Sequence, residues 1–227
     1  MLFNKLKIGL KNFEKQLVFY EKTLGFSVSI NNSSQIILGA GATELIFSKQ
    51  ISAPTLYHFA FLIPTGSLES AIQYVESRDI NLLPFREEKI IHFDTGRSIY
   101  FFDPDGNIAE FIERPLLHYP AKKTFEIENI ICVNEIGHPV SQPLASSHEL
   151  MTQYGIQPIN HQTWNENFCW VGDHNGAIIV VKEGRHWLPT NISGVLNDFE
   201  LDYTEMGKNY ELKTENGHVV PRNFDHK

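Results

Sequence analysis

The chain has 227 residues, 42% of them hydrophobic, enough to build the core of one large domain or two small ones. A charged fraction of 20% with a net charge of -8 excludes global disorder, and the lack of a Lys/Arg run argues against a nucleic-acid-binding surface. No apolar run reaches about 18 residues, so no membrane-spanning helix is expected.

Lysines interrupt the opening "MLFNKLKIGLKN", which does not suit a secretory leader. Cys132 and Cys169 lie far apart without metal-type spacing. They read as reduced, buried thiols of a cytoplasmic protein.

Taken in chain order, "LKIGL" (6–10) alternates apolar and polar residues and predicts a half-buried strand. Asn12 offers a helix cap. Phe13, Leu17, Tyr20 and Leu24 follow at helical spacing, and Gly25 stops the helix. Strands are predicted at 26–30, 35–40 and 43–48, between Asn/Ser and Gly turns. The first unit therefore reads β-α-β-β-β.

The same order repeats. A strand at 56–63 precedes a helix capped by Ser67 with Leu68, Ile72 and Val75 on one face. Strands are predicted at 80–85, 98–102 and 108–112, with a long loop around 86–96. Pro115 ends this second unit, and residues 116–124 read as a linker.

A third, fainter unit spans residues from 125. It has a strand at 127–133, a helix ending at Gly155 and a hairpin at 168–184. The tail to residue 227 adds a strand at 198–204 and a hairpin at 211–220, too short for a complete fourth unit. The domain expectation is paired units in 1–115, a linker at 116–124, and a degenerate third unit plus tail in 125–227. Self-similarity at this spacing decides the fold before any function is weighed.

The stretches "GLKNFEKQLVFYEKTLGF" (9–26), "YHFAFLIP" (57–64) and "YFFDPDGNIAEFIERP" (100–115) resemble the vicinal-oxygen-chelate superfamily. Glyoxalase I, fosfomycin- and bleomycin-resistance proteins and extradiol ring-cleaving dioxygenases belong to it. The resemblance implies an α+β fold, in which repeated βαβββ units form curved mixed sheets around a cavity. It places that cavity between the two units of 1–115.

Metal ligands in that superfamily sit on the first and last strands of each unit. The matching positions here are Lys5, Glu44, His58 and Glu110, and Lys5 departs from the usual histidine. The third unit's counterpart of Glu110 falls near Val180, so no metal is expected there.

Strand parity supports the cluster independently. His58 faces away from Tyr57, Phe59 and Phe61, Glu110 away from Ala109 and Phe111, and Glu44 away from Leu45 and Phe47. A titratable group on an apolar strand is costly to bury alone, so a metal or a polar network is required. One His with two carboxylates is not the two-His, one-carboxylate set of non-haem iron oxygenases.

The Asp-Pro-Asp-Gly stretch at 103–106 reads as a turn rather than as chemistry. Lys5 has three readings. It repels a metal, it replaces the metal's charge by pairing with Glu44 or Glu110, or it sits neutral as a base. Lys7 has the same parity and would replace it after a two-residue register change. Lys5, Arg97 and His92 are candidate substrate-binding residues. Arg185, His186 and Trp187 either close the pocket or pack the seam between units, and packing is preferred.

The expected function is a divalent-metal-dependent enzyme acting on a small vicinal-oxygen-containing molecule, of lyase or isomerase type rather than ring-cleaving. The metal would be Zn, Ni, Mn or Fe, held by Glu44, His58 and Glu110, with Glu44 or Glu110 as the catalytic base. The alternative is a metal-free drug- or metabolite-binding protein. The expected partner is a small molecule, with a homodimer compatible and neither nucleic acid nor membrane involved.

Overall fold

In a computed structural model of the protein, the described residues are 1–30, 32–51, 56–159 and 163–221. The first unit contains β1 (Leu2–Gly9), α1 (Phe13–Leu17), β2 (Val28–Ile30), β3 (Gln35–Ala40) and β4 (Thr43–Ser48). Asn12 caps α1 through its side-chain oxygen, which accepts from the Lys15 amide at 3.0 Å. The helix then widens into a π-helical turn over Val18–Thr23 and ends before Gly25, whose φ of +82° favours glycine.

The second unit contains β5 (His58–Ile63), α2 (Leu68–Glu76), β6 (Ile91–Phe93), β7 (Gly96–Phe102) and β8 (Ile108–Glu113). The third contains β9 (Cys132–Val140), α3 (Pro143–Tyr154), β10 (Phe168–Asp173) and β11 (Gly176–Lys182). The tail supplies β12 (Glu200–Glu205), β13 (Lys208–Glu215) and β14 (His218–Val219). Among the described residues no helix is long and apolar enough to cross a membrane.

These strands form two curled, mixed sheets of seven strands each. The first sheet runs β14-β13-β12-β1-β4-β3-β2, and the second runs β10-β11-β9-β5-β8-β7-β6. Inside each unit the first and last strands pair in parallel, Lys5 with Glu44 in one and Ala60 with Glu110 in the other. The free edge of β5 takes β9 antiparallel, while β1 takes β12.

This corrects the expectation of one cavity shared by β1 and β8. Those strands stand in different sheets, because the first unit pairs with the tail strand β12 while the second pairs with β9 of the third unit. The α+β class with repeated strand-helix-strand units is as read.

The facing sides of the two sheets, together with the helices, enclose one aromatic-rich core. Phe47 of the first sheet meets Phe59 of the second edge-on, with ring centroids 6.3 Å apart. Phe61, Phe101 and Phe111 continue it, all fully buried, and each contributes roughly 1.5–3 kcal/mol. Cys132 and Cys169 are both buried and free, as expected.

The Asp-Pro-Asp-Gly turn pins the two halves together. Asp103 is buried and accepts from Gln16 Nε2 at 2.8 Å, the Tyr20 hydroxyl at 3.1 Å and Asn107 Nδ2 at 2.8 Å. Asp105 accepts from the amides of Lys11 and Asn12 at the start of α1.

Two predicted strands moved. Residues 80–85 make only isolated bridges, because Pro84 cannot donate to a ladder, and the edge position goes to β6 inside the predicted loop. The strand expected at 127–133 begins at Cys132 and runs to Val140, carrying Asn134, Glu135, His138 and Pro139 fully buried in its length.

Candidate metal centre

Three side chains converge on the outer face of the second sheet. His58 from β5, Glu110 from β8 and Glu135 from β9 are buried, and their candidate ligand atoms all lie within 4.8 Å of one another. Parallel β5–β8 pairing sets Ala60 beside Glu110, and antiparallel β5–β9 pairing sets Ala60 beside Glu135. The small Ala60 side chain leaves the space between the two carboxylates open.

A register shift on β9 brings Glu135 to this face. Phe61 faces Val133 and Ala60 faces Glu135, so Asn134 is the extra residue of a bulge. Val133 and Ile136 consequently both turn to the core, with Glu135 between them turned to the cavity.

The imidazole of His58 is oriented. Its Nδ1 lies 3.3 Å from the Ile108 carbonyl, which requires an N–H there, and its Nε2 lies 3.4 Å from Glu110 Oε2. Burial pushes the His58 pKa down to about 4, so the ring is neutral at physiological pH and presents a lone pair at Nε2. Such a ring can face a carboxylate oxygen only if a proton or a cation lies between them.

Burial, and next the Glu135 carboxylate, raise the pKa of Glu110 against the hydrogen bond from Ser98. Burial also raises Glu135, opposed by Arg114. Ser98 Oγ donates to Glu110 Oε1, and Arg114 donates to Glu135 Oε1. The neutral Nε2 and two convergent carboxylates on a buried floor suit a divalent cation with positions open toward the cavity.

The cavity above the triad has a volume of about 200 Å³. Tyr100, Phe168, Trp170 and Ile179 line its walls, and Phe93 and Leu188 stand half-exposed in the lining. Trp187 closes over His58 with ring centroids 5.1 Å apart. This close approach is possible because residue 137 is glycine: a Cβ there would meet the indole at 2.6 Å. Burial, followed by the Glu110 charge, raises the Tyr100 pKa well above the usual range, so its phenol is an O–H donor.

Other predicted site residues lie elsewhere. Glu44 has the predicted parity, but it is exposed on the first sheet, which does not share this cavity. Lys5 pairs with Asp202 at 2.8 Å and not with Glu44 or Glu110, and that hydrogen bond raises its pKa. Lys7 pairs with Glu200. Neither lysine replaces a metal charge.

Arg97 turns to the helix side of the second sheet, where it bonds Glu113 at 2.8 Å and Glu69 at 2.6 Å. His92 is exposed on edge strand β6. Neither reaches the cavity. Trp187 and Arg185, read as packing, both line it, and so does Arg114. The parity of Glu110, Ile112 and Arg114 already carried the signal for Arg114.

No family model matches the chain. Among solved structures, it is similar to a dioxygenase candidate from Bacillus subtilis subsp. subtilis str. 168, with a TM-score of 0.55 and 13% identity over 96% of this chain and 68% of that one. With the repeated units and curled sheets, this match decides the architecture.

The chain has the vicinal-oxygen-chelate fold. A lactoylglutathione lyase from Agrobacterium tumefaciens is also similar, with a TM-score of 0.43 and 15% identity over 52% of this chain and 96% of that one. So is TnmS3, an antibiotic binding protein from Streptomyces sp. CB03234, with a TM-score of 0.40 and 18% identity over 50% and 96%. Within this fold the triad stands between the second and third units.

Proposed function

We propose that the protein is a divalent-metal-dependent enzyme acting on a small, flat, oxygenated molecule, by lyase or isomerase chemistry. The convergence of the neutral His58 Nε2 with the Glu110 and Glu135 carboxylates carries this reading. One imidazole and two carboxylates are an oxygen-rich donor set, which favours Lewis-acid chemistry over the iron oxygenase set.

Bound there, a divalent metal would polarise substrate oxygens as a Lewis acid. The chain's own residues do the rest. Ile108 and Ser98 fix His58 and Glu110 in orientation. Glu110, freed of the cation when a substrate oxygen takes its place, would be the general base. Tyr100 offers its O–H from the wall, and Trp187 and Leu188 exclude water. Arg185, which has no carboxylate partner among the described residues, would hold an anionic group of the substrate.

Metal content of the purified protein tests this after dialysis against a weak chelator. One equivalent in the native protein, lost in His58→Ala, is expected. A native protein that binds none in the presence of added zinc, manganese or nickel would remove the enzyme reading.

One observation favours a second reading. The ion pair between Arg114 and Glu135, with a proton on Glu110, leaves the site neutral without a metal. The protein would then be a metal-free binder of a small molecule, with Arg114 in the role foreseen for Lys5.

A further inference from the structure

Arg114 is a permanent cation already seated on one of the three proposed ligands. Its side chain is 2% exposed. One terminal nitrogen donates to Glu135 and the other to Thr95 Oγ1 at 3.0 Å, while its buried Nε has no protein partner among the described residues. The guanidinium also lies over the Trp170 ring, 5.1 Å from its centroid.

Resting on the metal-centre reading, we propose that Arg114 competes with the metal for Glu135, so that metal entry requires the guanidinium to give up its contact with that carboxylate. A guanidinium does not lose its proton in proteins, so it cannot step aside by neutralising. Two cations on one buried carboxylate repel strongly where the dielectric is low. Thr95 and the Trp170 ring provide a place for the released group, since both contact it already and both line the cavity.

The charge balance gives the competition a consequence. Glu110, Glu135 and Arg114 sum to one negative charge, so a dication leaves the site with one positive charge. Metal and an anionic ligand are therefore expected to enter together.

The test is calorimetric titration of zinc and manganese into chelator-stripped native protein, Arg114→Gln and Arg114→Lys. Removing the charge in Arg114→Gln should tighten metal binding by at least about tenfold. Arg114→Lys keeps the charge and should stay within about threefold of native.

A native protein that binds metal while Arg114→Gln binds it no tighter overturns the inference and leaves the metal centre standing. Equal gains in the Gln and Lys variants also overturn it, because charge would not be the cause. Metal binding gained only in Arg114→Gln supports it. No binding in any of the three overturns both readings.

Should the Gln variant fail to fold, zinc-soaked crystals of the native protein decide. The expected result is Arg114 parted from Glu135. A retained contact beside bound zinc would overturn the inference.

Discussion

The two sheets are built from the same kind of unit, yet their outer faces differ in kind. On the first sheet the parallel pair Lys5 and Glu44 lies open to solvent beside Asp202 and Glu200, and the lysines are paired with surface carboxylates. On the second, the equivalent strands carry Ala60, Glu110 and Glu135 under Trp187. The difference is the cover. The segment after β11 folds over the second sheet before entering the first as β12, and nothing among the described residues covers the first in the same way. Carboxylates in water need no special partner, whereas buried ones require a proton, a guanidinium or a metal.

The largest expected contrast is in metal affinity. Glu135→Ala should weaken zinc binding by about a hundredfold or more, as expected when a buried ligand is removed. Glu44→Ala should change it less than about twofold, the behaviour of a distant surface charge. Equal losses in a competition titration would break the comparison.

Stability should separate the faces as well. Asp103→Ala leaves Gln16, Tyr20 and Asn107 without their shared acceptor and should cost about 3 kcal/mol in urea unfolding. Lys5→Met removes a half-exposed pair and should cost less than about 1 kcal/mol.

His138 lies on the core side of β9, edge-on to Phe199 at 5.3 Å, with Asp198 and His218 the nearby titratable groups. Burial pushes its pKa down to about 4, against about 6.5 in an unfolded chain. Unfolding therefore takes up a proton between those values. Stability is intact above pH 6.5 and falls as pH drops toward 4, by up to about 3 kcal/mol from this group. His138→Gln should flatten that part of the profile, and an unchanged slope in the acid arm of the unfolding curve would count against neutral burial.

A substitution at Gly137 probes the cover itself. Gly137→Ala would place a Cβ 2.6 Å from the Trp187 indole, tilting it off His58 at a cost of about 1–3 kcal/mol. A red shift and easier quenching of tryptophan emission should report it.

Much of this was legible in the sequence. Strand parity placed His58 and Glu110 on one face of their sheet and the phenylalanines on the other, because β5 and β8 keep a strict alternation. It could not say which units would pair, since that depends on long-range edges. Glu44 therefore had the right parity in the wrong sheet.

Glu135 was hidden for a different reason. The run Asn134, Glu135, His138, Pro139 looks too polar for a central strand, and the bulge at Asn134 breaks the alternation that would have exposed it. A strand that buries polar groups for function departs from the pattern that identifies strands.

The most direct test of the account is an anomalous difference map at the zinc edge from zinc-soaked crystals of the native protein. One peak is expected, at about 2.0–2.2 Å from His58 Nε2 and from a carboxylate oxygen of Glu110 and of Glu135. A peak beside Glu44 on the first sheet, or none at the triad with zinc in excess, would contradict it.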